Sequence, residues 1–147
     1  MRRILPLLFA MALTGSCSIE MSGNGDLDGF WHLERIDTLD TGGTLSLADS
    51  LRFWAVQAKL LAWVDRGNAH HGGYFGYLAR FDHSAGRLRV YQPYLNDRAN
   101  GDIPVEDAAE LAPFGVNALD ETFTVEELSG SSMTLRSDVL RLWFRKF

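Results

Sequence analysis

The chain lacks a second cysteine: one in 147 residues excludes an internal disulfide and any disulfide-stapled scaffold. It also lacks a basic excess. Lys and Arg number 14 against 19 Asp and Glu, a formal net charge of -5, so the basic patch that nucleic-acid binding needs is missing. Its first apolar run, Ile4 to Leu13, is about ten residues long and too short to span a bilayer. There is no sequence repeat, no low-complexity tract and no motif that places a nucleophile beside a base. What is present is an ordinary apolar fraction of 46% and a large aromatic supply, with nine Phe, four Trp and four Tyr. Aromatic residues favour strands, and the length suits one domain.

The lone cysteine has a context. The chain opens MRRILPLLFAMALTGSC: Arg2 and Arg3, then the apolar run, then the small residues Thr14, Gly15 and Ser16 before Cys17. This is the order of an export signal. Cleavage at Ala10-Met11-Ala12 would leave Cys17 a free thiol and an apolar region of only about six residues, below the usual range. A buried N-terminal element with an inert Cys17 is the other alternative. The small triplet ending in cysteine resembles the lipobox of bacterial lipoproteins, with Leu13 one place before the usual leucine. The resemblance implies acylation of Cys17 and removal of residues 1–16. Lys and Arg then fall from 14 to 12 against the same 19 acids, a mature charge of about -7. Ser18 to Asp28 reads as a flexible polar tether, spanning roughly 18 Å root-mean-square.

The body alternates in strand fashion. Gly29 to Ile36 is a strand after an Asp28-Gly29 turn, with Phe30, His32, Glu34 and Ile36 on one face and Trp31, Leu33 and Arg35 on the other. Leu51 to Val64 fits either a helix capped by Asp49 or Ser50 or one long strand; propensity leans to helix. Tyr74 to His83 and Arg87 to Tyr91 form a hairpin around His83-Ser84-Ala85-Gly86. Gln92 to Glu121 is a long connection, in which Pro104 begins a short helix through about Leu111 and Pro113 stops it. Thr122 to Leu128, Ser132 to Arg136 and Val139 to Phe147 form an antiparallel meander, which closes well into a barrel without free edges.

Gly29-Phe30-Trp31 resembles the G-x-W signature of lipocalins. Together with FWAVQAKLLAWVD, YFGYLARFDH, PFGVNALDETFTVEELS and SMTLRSDVLRLWFRKF, the body resembles the lipocalin-like domains of short bacterial envelope lipoproteins. The resemblance implies an all-β fold: an antiparallel up-and-down barrel of about eight strands over residues 29–147, with a short helix in the 92–121 connection. It also implies that Leu51 to Val64 is strand. Trp31 would close one end of the barrel, with Arg141 or Arg145 packed over it.

Other polar groups carry weaker signals. His70-His71 with Asp65 and Asn68 sit in a Gly-flanked loop, and adjacent histidines on a strand would point apart. Asp97, Asn100 and Asp102 lack the spacing of a calcium loop. Asp82-His83 reads as a turn. The expectation is therefore a non-enzymatic protein without cofactor or metal, lipid-anchored in the outer membrane of a Gram-negative envelope through residues 17–28. Its barrel binds a small hydrophobic or amphipathic molecule. Alternation nominates Phe53, Phe75, Tyr77, Phe81, Val90, Phe123, Val125, Leu135, Leu142 and Phe144 as cavity lining, with the 92–121 connection over the open end. The alternative is an envelope protein-interaction module with a packed barrel and an exposed apolar patch around Trp143 and Phe147.

Overall fold

The computed structural model describes residues 23–147 except 69 and 74. The signal segment and Cys17 lie outside the described residues. Among the described residues ten strands follow in order: β1 (Gly29–Thr38), β2 (Thr44–Ser46), β3 (Arg52–Gln57), β4 (Leu60–Asp65), β5 (Tyr77–Ser84), β6 (Arg87–Leu95), β7 (Ile103–Pro104), β8 (Asp120–Leu128), β9 (Ser132–Arg136) and β10 (Leu140–Lys146). Every pairing is antiparallel. The path β10-β9-β8-β6-β5-β4-β3-β1 closes on itself through β1 with β10. The fold is thus an eight-stranded up-and-down lipocalin-like barrel, and β2 and β7 are short additions to β1 and β6. Closure leaves the main strands no open edge.

The ambiguous stretch Leu51 to Val64 is neither a helix nor one strand. It is the β3–β4 hairpin, in which Gln57 faces Leu60 across Ala58 and Lys59. Ala58 turns at φ 53°, and its carbonyl accepts the Asn24 side-chain amide at 2.8 Å. Neither turn residue is a glycine, proline or asparagine, so the hairpin carries no turn signal. The turn brings Trp54 and Val56 to the same interior as Leu61 and Trp63. In β1 a bulge between Leu33 and Arg35 breaks the expected alternation. Trp31, Leu33 and Ile36 are all buried in the core, while Arg35 lies 4.1 Å over the outer Trp143 ring.

The 92–121 connection also departs from its reading. Pro104 belongs to β7, and the helix is a 3-10 segment, Ala108–Phe114, with Pro113 inside it. Asp107 caps it by accepting the Ala109 amide at 2.9 Å. It ends at Gly115, φ 81°, where an added Cβ would stand 2.5 Å from Leu142. Only glycine fits that combination of backbone and space.

Strand direction defines two ends. The starts of β1, β4, β6 and β9 share one end, the floor. The starts of β3, β5 and β10 share the other, the mouth. The expected tether does not run free up to Asp28. A 3-10 turn, Gly25–Leu27, tucks Leu27 wholly into the floor.

Candidate functional site

The barrel interior is filled by side chains. Trp31, Trp54, Trp63, Phe123, Leu135 and Leu142 are all essentially inaccessible. Trp54 stands edge-on to Trp63, Phe123 and Phe144, with centroids 5.7, 5.6 and 5.2 Å away, the arrangement that aromatic quadrupoles favour. Of the expected cavity lining, Tyr77, Val90, Phe123, Leu135, Leu142 and Phe144 belong to this core, and Phe81 and Val125 pack against it. They touch one another rather than border a bore. The indole N–H of Trp63 is buried without a partner.

Two nominated residues lie elsewhere. Phe53 is buried, but on the outer wall, stacked on Phe30 at 4.4 Å. In β3 it alternates with the inward Trp54, so the two cannot share a face. Phe75 precedes β5 in a loop and is 65% exposed. The G-x-W region behaves as expected at Trp31, whose indole donates to Leu27 O at 2.9 Å. The cation over it is neither Arg141 nor Arg145. Lys146 Nζ lies 4.7 Å from the ring and donates to Asp26 O at 3.0 Å. Arg141 and Arg145 alternate outward and bind Glu126 and Glu34. Gly29, φ 137°, leaves the room that the Lys146 stem uses; a Cβ there would meet it at 3.1 Å.

The mouth is covered by the 3-10 helix, as the connection was expected to do. Leu111 and Phe114 plug it. Three donors from the barrel rim hold it: Arg52 Nη1 to Pro113 O at 3.0 Å, Trp54 Nε1 to Phe114 O at 3.0 Å, and the Tyr77 hydroxyl to Glu110 Oε2 at 3.1 Å. Burial and the adjacent Glu110 push the Tyr77 phenol up to about 12. Arg52 is itself aimed by the buried Asp65, whose Oδ2 takes Arg52 Nε at 3.2 Å and His71 Nδ1 at 2.8 Å. Its Oδ1 accepts the Gly67 and Asn68 amides. Burial alone would raise the Asp65 carboxyl; hydrogen bonds from His71, Gly67 and Arg52 outweigh that and hold it below the usual carboxylate range. His71 and Asp65 thus serve the lid. Among the described residues no three His, Cys, Asp or Glu side chains gather as a metal site. Asp97 closes its own turn on Asn100.

The barrel wall opens where β6 leaves β8. Their ladder stops at Tyr91 opposite Asp120, and β6 continues beside β7. The gap is a cleft of about 680 Å³. Pro93, Val105 and Leu119 floor it, Tyr91 and Tyr94 flank it, and Arg80 and Arg89 stand on its rim. Arg89 is held by Asp120 at 2.6 Å and lies over Tyr91. Four non-glycine residues among those described have positive φ. Ala58 and Ala85 turn hairpins; the other two, Gln92 and Asp102, line this cleft. Such backbone strain concentrates at binding sites. Sequence alternation missed the cleft, although Pro93 inside a strand signals a bulge or an interrupted ladder.

A family model described as a lipocalin-like domain matches residues 10–147. A lipocalin-like protein from Bacteroides uniformis has a similar structure, with 23% identity and a TM-score of 0.61 over 84% of this chain and 100% of its own. An uncharacterized protein from Bacteroides eggerthii is similar at 21% identity and a TM-score of 0.57, over 82% of this chain and 98% of its own. At these identities the likeness is one of fold. No curated protein matches the sequence.

Proposed function

We propose that this chain, a member of the lipocalin-like domain family, is an exported, lipid-anchored binding protein of the Gram-negative outer membrane with no catalytic role, the anchor being supported by the order Arg2-Arg3, apolar run and small residues before Cys17. Cys17 carries the acyl chains. The barrel takes a small amphipathic molecule in its wall rather than in its bore. The observation that carries this reading is the 680 Å³ cleft, a volume in the range of small-molecule sites. Pro93, Val105 and Leu119 suit an apolar tail. Arg80, exposed on the rim, suits an anionic head. Native mass spectrometry of protein from its host should find a bound small molecule, and a dansylated fatty acid should compete with it. Arg80→Glu should weaken the probe about tenfold, as loss of one charge-assisted bond does. Failure of the wild-type protein to bind any such probe would sink the reading.

The filled interior favours a second reading, a packed barrel used as an interaction module. It is supported if the host protein carries no small molecule and co-purifies with an envelope protein at a fixed ratio.

A further inference from the structure

The outer wall carries an aromatic cluster that starts at the floor, with Phe30 at the start of β1 and Phe147 just past β10, and reaches along the wall to Phe53 in the first half of β3. Phe30 stacks on Phe53 at 4.4 Å with 18° between planes. Phe147 stands edge-on to both, at 6.0 and 5.4 Å, and is 83% exposed. The backbone holds it there: Phe147 N donates to Phe30 O at 2.8 Å. Phe53 is buried beneath the other two rings, so the apolar surface offered to a partner is that of Phe147 and the open part of Phe30.

We propose that this cluster rests in the interfacial region of the membrane and fixes the orientation of the barrel, an inference that rests on the reading of Cys17 as the acylated anchor. The chain outside the described residues supplies the argument. From Cys17 to Gly23 there are about six residues, which reach about 20 Å at most. The described chain enters at the floor, where Asn24 binds the β3–β4 turn and Asp26 binds Lys146, next to Phe147. The aromatic face therefore lies at the end of the molecule held against the lipid. The mouth lies at the other end, and the wall cleft opens beyond the β6–β8 ladder towards it.

Charge decides which lipid. The mature body is acidic, so anionic headgroups repel it. The nearby cations are engaged, Arg145 with Glu34 at 2.8 Å and Lys146 over Trp31. What the face offers is apolar ring surface, which partitions into the headgroup–acyl boundary of zwitterionic lipid without charge attraction.

The test takes the acylated protein from envelopes into phosphatidylcholine vesicles with the polarity-sensitive dye NBD on Arg145→Cys, beside the cluster, or on Arg98→Cys, in the exposed connection at the mouth end. Emission from position 145 should shift to the blue and rise several-fold while that from position 98 stays aqueous. Adding Phe147→Ser, a change at an exposed side chain, should abolish the difference. Equal aqueous emission from both positions in vesicle-bound protein overturns the inference. A blue shift that needs no vesicles and grows with protein concentration assigns the face to a second copy and also overturns it. Intact mass reports acylation of Cys17 separately. Where that mass shows none, the anchor reading fails by itself. The same labelled chains with Cys17→Ser are then held on phosphatidylcholine through nickel-chelating lipid and an N-terminal hexahistidine, and the same emission difference decides the face.

Discussion

Both ends of the barrel are plugged by a 3-10 segment, yet the two plugs are held by different physics. At the floor, Leu27 is inserted four residues before Trp31, whose indole donates to it, so the plug is continuous with β1 and local in sequence. At the mouth, Phe114 and Pro113 are held by Trp54 and Arg52 from some sixty positions away. The floor has one local bond from Trp31 besides its distant ties to Lys146 and Ala58, while every side-chain bond from the barrel rim to the mouth helix must bring distant groups together. The mouth also depends on ionisable groups: Asp65 behind Arg52, and Glu110 against Tyr77. The two seals are equally buried, and they differ in that the mouth's bonds run through carboxylates and a phenol, which makes it the end whose strength should change with pH.

The largest test of this difference is Trp31→Ala. It removes a fully buried indole from the floor, and large-to-small changes of this kind cost about 3–5 kcal/mol. Urea unfolding should show one cooperative transition shifted by that amount. A loss below about 1 kcal/mol would mean that the floor is not a structural seal.

Next in size is Asp65→Asn. The amide keeps an acceptor for Gly67 and Asn68 but turns N–H groups towards Arg52 and His71. About 2 kcal/mol should be lost, as for a charged hydrogen-bonded group left without its partner. The loss should appear first as faster amide exchange in residues 108–114, with exchange around Leu27 unchanged. The acid limb follows the same group. Asp65 is depressed in the folded state, so its contribution is complete above the ordinary carboxylate range near pH 4 and is lost as pH falls through its lower folded value. Wild-type protein should lose lid protection on acidification in that range, and Asp65→Asn should lack this step.

How much of this was legible in the residues themselves depends on locality. The C-terminal meander was readable because Leu140, Leu142 and Phe144 alternate cleanly and polar turns separate the strands. The closing Trp31 was readable from Gly29-Phe30-Trp31. The β3–β4 hairpin was not, because Ala58 and Lys59 carry no turn chemistry, and Asn24, which binds the turn, is distant in sequence. The partner of Trp31 was not, because only the β1–β10 register brings Lys146, rather than Arg145, over the ring. The wall cleft was least legible: it arises where β6 parts from β8, and no single strand's alternation encodes the parting of two.

The smallest change sharpens the comparison most. Tyr77→Phe deletes one hydroxyl, and with it the bond to Glu110, while keeping the ring 6.2 Å from Phe114. The cost should be about 1 kcal/mol, too little to alter the global transition much, and it should fall on lid exchange alone. The phenol also titrates in a window of its own. Its folded value is raised to about 12 from an ordinary value near 10, so the neutral form is the one that the fold favours. Its contribution is complete below about pH 10 and fades as pH rises towards 12. The wild-type lid should therefore loosen across that interval, measured as a rise in acrylamide quenching of the total tryptophan emission, and Tyr77→Phe should show no such step. If both proteins loosen alike, the tyrosine is no part of the lock, and the mouth is held by Arg52 and Trp54 alone.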